Sequence, residues 1–497
     1  MVYLKFVVKV LIASWLISRG ATPDQNWVLV LSGLIYWFFL LFNTERKYQI
    51  GYTFSIWYLV ALFSLDWVGV LGVDARLALS FVAASAWALA IWIWQLLNSF
   101  ALHPGIRASI LASLAVALEW LLSYQPFGGF NWLRIAYLWS DAPISKISFW
   151  LGIPALTFMA IFFSSCIASP NIRLIRKLVI SAIFVTLIPI LNVLHSNAIE
   201  NVDERFKVVV IQGGVPEVGL DFNAQRNAVF QNHLVQTNKF LDQGITVDLI
   251  IWPENSVDID PFSNPEIESA ILELSTRSST PVLFGAVLRQ GEGLANSAVL
   301  ANEGTIEEVY QKRKLVPFGE YLPFRNLLAP LITRFDRLST DFYAGDFVDL
   351  FSVRDKELGI LICYEVAFDQ LWQGYAESAD YLLILTNNAT YGGTKQPWQQ
   401  LNITKLQAMS IGKPVVVAST SGISAIIDSS GDIQQIISKN ESGTLLADLP
   451  RALNVAPSNV VARIVNYFAL GFLLSNLIYF SIRNVARRRT SQVAPRP

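Results

Sequence analysis

Two periodicities divide this chain. Up to about residue 195 the apolar residues run almost unbroken, in stretches near 3–18, 27–43, 52–72, 76–98, 106–124, 146–168 and 174–195. Most of these reach the ~20 residues that a helix needs to cross a hydrocarbon core. The first is short and contains Lys5 and Lys9. No small-residue cleavage site follows it, so it reads as a helix rather than a signal peptide. A last apolar stretch, near 460–482, ends in Arg483 and Arg487-Arg488-Arg489. Residues 200–450 have a different grammar. Short β-branched runs recur at 207–211, 248–252, 282–287, 358–363, 381–386 and 415–419, with helical patterns such as 224–241 and 266–275 between them. That alternation predicts an α/β domain with buried strands. The expected organisation is a membrane domain over 1–198 with about seven transmembrane helices, an α/β domain over 199–452, and a transmembrane helix with a basic cytoplasmic tail over 453–497.

Basic residues orient the spans. Arg46-Lys47, Arg107, Arg173-Arg176-Lys177 and the C-terminal arginines fall on alternate connections. Placing them inside gives seven spans, a large extracytoplasmic domain and an eighth span that returns to the cytoplasm. Lys5 and Lys9 agree with this, while Arg19, Arg76 and Arg134 fall singly on the other side. The connection 123–143 holds Tyr124, Phe127, Phe130, Trp132, Tyr137 and Trp139 with Gly128-Gly129. Such a segment suits the lipid–water interface, either as an aromatic belt or as a route that admits lipid.

Composition fits this organisation. Across 497 residues the hydrophobic content is 53%, with 15 Trp and 31 Phe, and mean hydropathy is +0.44. A net charge of −1 gives no global case for nucleic acid. His103, His195 and His233 lack metal-ligand spacing, and with Cys166 and Cys363 the only cysteines, neither a zinc site nor a disulfide is expected.

Three motifs carry the chemistry: Ile251-Trp-Pro-Glu254, Tyr310-Gln-Lys312-Arg-Lys-Leu-Val-Pro-Phe-Gly-Glu320, and Leu361-Ile-Cys363-Tyr364-Glu365. A free thiol has a pKa of about 8.5 and is only a few per cent thiolate at neutral pH. Glu254 is the candidate base, since no histidine lies close to the cysteine motif. Lys312 is the candidate partner of thiolate and oxyanion, with the Tyr364 N–H as a second donor. Singly, each residue has a plainer reading: a strand-end surface carboxylate, one member of the basic run Lys312-Arg313-Lys314, a core thiol. Glu320 and Glu365 alone are surface charges. Their joint occurrence in one chain order outweighs these readings and describes a thiol acyl-transfer site.

In these motifs the chain resembles the nitrilase superfamily. In the run Leu315-Val-Pro-Phe-Gly-Glu320-Tyr-Leu-Pro323, in Cys363-Tyr364-Glu365 and in the flanking spans it is similar to one branch, the apolipoprotein N-acyltransferases. The stretch from Glu119-Trp120 through Phe127-Gly-Gly-Phe-Asn-Trp132 is similar to that family's membrane domain. The segment Gly219-Leu-Asp-Phe-Asn-Ala-Gln-Arg226 with Asn232-His233 resembles its actinobacterial members. The resemblance implies a four-layer αββα nitrilase-like sandwich on about eight membrane helices, in a bacterial cell membrane. It implies an acyl donor that is a phospholipid, typically phosphatidylethanolamine, and a diacylated apolipoprotein acceptor, joined through a thioester on Cys363 with no metal and no cofactor. Glu254 would be the base, Lys312 the oxyanion partner, and Glu320 and Glu365 carboxylates that orient Lys312 or the acceptor amine. Tyr364 would add a lipid contact, and Tyr391 and Trp398 would bind substrate.

The sequence also departs from that family. Asn387-Asn388-Ala389-Thr390-Tyr391-Gly392 stands where Asn-Asp-Ala-Trp-Phe-Gly is usual. Pro397-Trp398-Gln399-Gln400 replaces Pro-x-Gln-His, and Gln407-Ala-Met-Ser410-Ile-Gly-Lys413-Pro414 replaces Arg-Ala-x-Glu-x-Gly-Arg-Pro. These changes spare the triad and bear on donor and acceptor preference. Two rival readings stand beside acyl transfer: a membrane-tethered amidase or hydrolase using water as acceptor, and a catalytically silent lipoprotein-binding scaffold.

Overall fold

The computed structural model describes residues 2–98, 103–199, 201–215, 227–331, 340–346 and 350–493. It separates into two units: one of residues 1–125, 129–192 and 460–497, the other of residues 126–128 and 193–459. The segment Gly219–Arg226, singled out above, lies outside the described residues.

The first unit is helical: α1 (Val2–Ser18), α2 (Trp27–Phe42), α3 (Arg46–Ser64), α4 (Val73–Leu97), α5 (Pro104–Leu122), α6 (Ile147–Leu151), α7 (Ile153–Ala168) and most of α8 (Leu174–Ala198). Two elements differ from the hydropathy reading. The stretch near 52–72 is displaced, because α3 stops at Ser64 and a tight turn over Asp66–Val70 follows. The stretch near 146–168 breaks at Gly152, whose φ is +80°. A Cβ there would stand 2.3 Å from that of Ala462, so close packing as well as backbone conformation demands glycine.

The aromatic connection is not simply an interfacial belt. Trp132, Tyr137 and Trp139 are buried inside this unit. Trp139 Nε1 donates to Trp27 O at 3.0 Å, and Gln25 Nε2 donates to Tyr137 O at 2.7 Å. Glu119 organises the start of the connection. Its carboxylate accepts from Ile135 N at 2.7 Å, Thr157 Oγ1 at 2.8 Å and Arg134 Nε at 3.1 Å. Full pairing is what makes a buried ion pair tolerable.

The second unit contains two six-stranded sheets. Its elements are β1 (Asn201–Gln212), α9 (Ala228–Leu241), β2 (Leu249–Ile251), α10 (Pro265–Ser278), β3 (Val282–Gln290), β4 (Gly293–Asn302), β5 (Thr305–Gln311), α11 (Arg325–Leu328), β6 (Leu350–Val353), β7 (Lys356–Ile362), α12 (Asp369–Tyr375), β8 (Tyr381–Thr386), α13 (Gln396–Ile411), β9 (Val415–Ser419), β10 (Ser424–Ile427), β11 (Ile433–Ile437) and β12 (Gly443–Ala452). The first sheet runs β12-β1-β2-β3-β4-β5 and the second β11-β10-β9-β8-β7-β6. In each, the central three strands are parallel (β1-β2-β3; β7-β8-β9) and the flanking pairs antiparallel.

Alternation along the strands explains the layering. Val208, Val210, Leu249, Ile251, Ile360, Ile362, Leu383 and Leu385 fill the space between the sheets. The intervening residues Val209, Ile211, Ile250 and Trp252 face outward, onto Phe230 and Phe240 of α9 and Ile267, Ile271 and Leu274 of α10. α10 starts where it does because Asn264 Oδ1 accepts from Ile267 N and Pro265 occupies the first turn. On the other sheet Tyr375 of α12 packs over Gly359 and donates to Ile360 O at 3.1 Å. The result is an αββα sandwich whose parallel strands end in a common place.

The chain closes with α14 (Ser458–Val493). Among the described residues, four helical segments are long and apolar enough to cross a membrane: α4, α5, α8 and the first 25 residues of α14, through Ile482. α2 and α7 are apolar but shorter.

Gly285 on β3 admits the 253–254 segment. A Cβ added there would lie 2.5 Å from both Glu254 Cα and Pro253 O. Gly285→Ala should therefore destabilise the domain by about 1–3 kcal/mol through overpacking, read as a lowered midpoint of chemical unfolding in detergent. Gly393→Ala, where nothing lies within 4 Å, should leave the midpoint unchanged.

Candidate active site

Three strand ends deliver the three predicted groups. β2 finishes at Ile251, and Trp252-Pro253 carry the chain to Glu254 while Trp252 N is still tied to Leu283 O at 2.7 Å. β5 finishes at Gln311, and Lys312 follows with its N–H on Asn296 O at 2.8 Å. β7 finishes at Ile362, and Cys363 opens a short helical turn, Cys363–Ala367. The pattern of residues 358–363 suggests one uninterrupted strand. Instead Cys363 has a φ of +51°, in the left-handed region that non-glycine residues rarely enter. That reversal takes its side chain out of the strand's alternation, and the thiol is half-buried at the edge of the inter-sheet core.

Glu254 and Lys312 are almost wholly buried, at 4% and 1% exposure. Lys312 Nζ donates to Glu320 Oε1 at 2.7 Å and stands 3.5 Å from Glu254 Oε1. Asn296 Nδ2 spans the same two carboxylates, at 2.7 Å to Glu254 and 2.8 Å to Glu320. The other oxygen of Glu254 accepts from Asn387 N at 2.6 Å, and the other oxygen of Glu320 accepts from Val316 N at 2.7 Å. Each carboxylate is thus fixed at both oxygens.

The electrostatics follow from burial and sign. Burial raises the Glu254 carboxyl above the usual 4.5; Lys312 opposes the rise and Glu320 adds to it. Burial disfavours the Lys312 ammonium, yet Glu320, Glu254 and Cys363 together hold its pKa well above the usual lysine value. The Cys363 thiol is pushed up to about 12, first by burial and then by Glu254, against the lowering influence of Lys312 and a hydrogen bond from Thr386. At rest the site therefore holds a protonated thiol beside a permanent cation, with a carboxylate able to accept the proton.

The remaining predicted residues are dispersed around this centre. Glu320 touches Lys312 directly. Among the described residues Glu365 makes no hydrogen bond to Lys312 Nζ, and Lys312 acts on it through charge alone. It is fully buried and accepts from Ile362 N and Arg313 N at 2.7 Å each, Tyr310 OH at 2.8 Å and Lys314 N at 3.1 Å. It locks the backbone after Lys312 to the backbone before Cys363. Tyr364 is buried with its ring edge-on to Phe368, centroids 5.1 Å apart. Tyr391 is half-buried, and the charges of Cys363, Glu320, Lys312 and Glu254 all act on its phenol. Trp398 is half-buried in the first turn of α13, and among the described residues it makes no hydrogen bond or ring contact with the triad.

Sequence reasoning missed Asn296 and Thr386, which belong to no spaced motif, and showed Asn387 only as the first residue of a run that departs from the family. Gln400 was visible only as a departure, yet its Nε2 donates to Cys363 O at 3.1 Å. Residues 126–128 also pack with the second unit. Phe127 stands edge-on to Phe318 and Phe324, centroids 6.0 and 5.6 Å apart, and its carbonyl accepts from Tyr321 OH at 3.0 Å.

Residues 207–455 match the carbon-nitrogen hydrolase family and residues 13–166 match the apolipoprotein N-acyltransferase N-terminal domain. The chain is 26% identical to the apolipoprotein N-acyltransferase of Haemophilus influenzae over 494 residues, covering 93% of this chain and 92% of that one. It is 36% identical to the apolipoprotein N-acyltransferase of Mycolicibacterium smegmatis over 242 residues, 46% of this chain and 40% of that one. Among solved structures, an amidase of the nitrilase superfamily from Nesterenkonia matches at 16% identity with a TM-score of 0.36, covering 51% of this chain and 92% of that one. The chain belongs to the carbon–nitrogen hydrolase family, and within it to the apolipoprotein N-acyltransferases.

Proposed function

We propose that this protein moves an acyl chain from a membrane phospholipid to the N-terminal amine of a diacylglyceryl-cysteine, through a thioester on Cys363. The observation that carries this reading is the buried carboxylate–ammonium–thiol grouping, drawn from three strand ends, in a chain that also carries bilayer-length apolar helices.

In the first half-reaction Cys363 Sγ attacks the ester carbonyl while its proton passes to Glu254. Lys312 and the Tyr364 N–H face the oxyanion of the tetrahedral intermediate. The ester C–O bond breaks, Glu254 returns the proton to the departing alkoxide, and a lysophospholipid leaves. In the second half the neutral α-amine attacks the thioester carbonyl and gives a proton to Glu254. The C–S bond breaks, and that proton restores the thiol. Atoms and protons balance with no external reductant or oxidant. Glu320 holds Lys312 in place, and Tyr391 and Trp398 border the substrate.

A bilayer setting suits the chemistry. Both substrates keep their chains in lipid, and extraction would cost about 0.8 kcal/mol per CH₂. We place the protein in a bacterial cell membrane with eight spans, the α/β domain over 199–452 lying outside, because Arg46-Lys47, Arg107, Arg173-Arg176-Lys177 and the C-terminal arginines alternate along the chain. A phosphatidylethanolamine-like donor is the expected first substrate.

Mass spectrometry of lipoproteins from cells lacking the gene, complemented with wild type or Cys363→Ser, tests the reading. Triacylated termini are expected with the wild type alone. Diacylated termini in every sample, or fatty acid released to water in place of amide formation, would overturn it. The rate of acylation should fall as pH drops through the raised pKa of Glu254, because the base works only when ionised. The acid limb should therefore lie above 4.5 and move higher still in Lys312→Met, which removes the opposing cation. Lys312→Met should also lose about 10²–10³-fold in kcat, the usual effect of deleting an oxyanion donor.

Alkylation of Cys363 by iodoacetamide, with Cys166 replaced by Ala, should go on rising past pH 9. A plateau near 8.5 is not expected, because the thiol is pushed up to about 12. Glu254→Gln should shift that curve to lower pH while abolishing acyl transfer, since the carboxylate both raises the thiol and receives its proton.

A further inference from the structure

Arg313, the middle member of the basic run Lys312-Arg313-Lys314, takes no part in the mechanism above. From the sequence it is one more charge in that run. In the structure it is half-buried between two phenols. Its guanidinium carbon stands 5.7 Å from the ring centroid of Tyr310 and 5.6 Å from that of Tyr375. Arg313 Nε donates to Tyr310 OH at 3.2 Å, and Nη2 donates to Tyr375 OH at 3.4 Å. A guanidinium can only donate, so each phenol oxygen accepts from it and each phenol hydrogen is passed on. Tyr310 OH donates to Glu365 Oε2 at 2.8 Å, and Tyr375 OH donates to Ile360 O at 3.1 Å. Both recipients flank Cys363 in the chain.

The Glu365 end of this chain has a fixed sense as well. The carboxylate is wholly buried, and each of its oxygens holds two donors. Oε2 accepts from Tyr310 OH and from Ile362 N at 2.7 Å. Oε1 accepts from Arg313 N at 2.7 Å and Lys314 N at 3.1 Å. An ionised carboxylate offers about four lone-pair sites, and here four donors fill them. Three of the four are backbone groups, and Tyr310 supplies the one side-chain hydrogen bond among the described residues. No ammonium or guanidinium bonds Glu365 directly among those residues. Burial works against its charge, and the bonds from Ile362, Tyr310 and Arg313 together with the charge of Lys312 work for it.

We propose that Arg313 and Tyr310 are positioning residues of the acyl-transfer site: Arg313 anchors the Tyr310 hydroxyl, Tyr310 keeps Glu365 in the orientation that accepts all four hydrogen bonds, and Glu365 so held registers Lys312 against Cys363. The inference rests on Lys312 and Cys363 acting together as proposed above. Tyr310 lies on β5 just before Lys312, and Glu365 lies in the turn that Cys363 opens, so the bond between them joins the two strand ends. A hydrogen bond to a carboxylate is stronger than one between neutral groups, and a cation behind the donating hydroxyl strengthens it further.

The test uses the full-length protein in detergent. Infrared difference spectra across pH read the band of a protonated Glu365 carboxyl, with Glu365→Gln as the blank, and need no substrate. Tyr310→Phe keeps the ring and removes the hydroxyl. We expect the Glu365 band to appear at higher pH in Tyr310→Phe than in wild type, and at an intermediate pH in Arg313→Met. Arg313→Lys, which keeps the charge, should return the band towards its wild-type position. The Tyr310→Phe, Arg313→Met double variant should shift by less than the sum of the single shifts, because the guanidinium acts through the hydroxyl. In acyl transfer, Tyr310→Phe should lower kcat about tenfold or more with KM little changed. That loss should deepen as pH falls, since a Glu365 that lacks one donor takes up its proton sooner. A wild-type band position in Tyr310→Phe would overturn the proposal, as would a kcat loss of the same size at every pH, the mark of a packing defect. A wild-type band position in Arg313→Met, or shifts that add in full in the double variant, would overturn the role of Arg313, and this half-buried site keeps the test open if Tyr310→Phe fails to fold. A wild-type protein that transfers no acyl chain would count against the acyl-transfer reading and leave the spectra to decide the link from Arg313 to Glu365.

Discussion

One buried ammonium group underlies the rest of the site. Lys312 Nζ has left water entirely, a transfer that in isolation would drive it to neutrality. It stays charged because Glu320 lies 2.7 Å away and Glu254 3.5 Å away. The dependence runs both ways. Glu254, raised by its burial and by Glu320, would rise further without the cation. Asn296 completes the arrangement by binding both carboxylates through a single amide nitrogen. Burial first, and then the negative charge of Glu254, keep the proton on the resting thiol. Passing that proton to Glu254 moves a negative charge from carboxylate to sulfur without changing the net charge of the site. In a low-dielectric interior that exchange is far less costly than creating a new ion.

Position matters as much as charge, and here the backbone does the work. Continued alternation along β7 would turn the thiol to the opposite face from Ile360 and Ile362, away from the space between the sheets. The left-handed φ at Cys363 breaks that alternation and turns the chain out of the strand. A non-glycine residue persists in that region only when its surroundings over-determine it. Glu365 supplies much of that constraint by accepting from Ile362 N just before the turn and from Arg313 N and Lys314 N just after the lysine. One carboxylate thereby couples the strand that presents the sulfur to the strand end that presents the cation. These backbone contacts, invisible in the linear sequence, register the two strand ends against each other.

The legible features were those with a period or a fixed local spacing. Apolar runs of bilayer length and alternating β-branched strands gave the two architectures, and the Glu, Lys and Cys motifs gave three residues that each follow a strand end. Strands with neither mark were missed. β4 is built from small residues, Gly293 through Asn302, and β5 reads Thr-Ile-Glu-Glu-Val-Tyr-Gln with much of it exposed. Such strands are fixed by their neighbours rather than by intrinsic preference. Asn296 sits on β4 and was lost with it. Gly152 looked like one more small residue in an apolar run. Only its close approach to Ala462 shows why the helix must break there. Trp132, Tyr137 and Trp139 looked interfacial because aromatic composition cannot distinguish a ring at the lipid boundary from one packed in a bundle.

Cys363 thus meets two networks of opposite character, an uncharged one at its carbonyl and a charged one near its thiol, and their difference has a consequence. The charged network is titratable at Glu254 and at the thiol itself. The network of Thr386, Gln400, Asn388, Gln396 and Ser419 holds no group that ionises near neutral pH. A histidine at position 400, the usual residue in the resemblance drawn from sequence, would set a group with an unperturbed pKa of about 6.5 against the Cys363 carbonyl. Its protonation would alter the donor count under the nucleophile over the range in which the acceptor amine must lose its own proton. Gln400 removes that coupling, because an amide presents the same donors at every pH. The uncharged network therefore holds the Cys363 carbonyl in the same way at every pH.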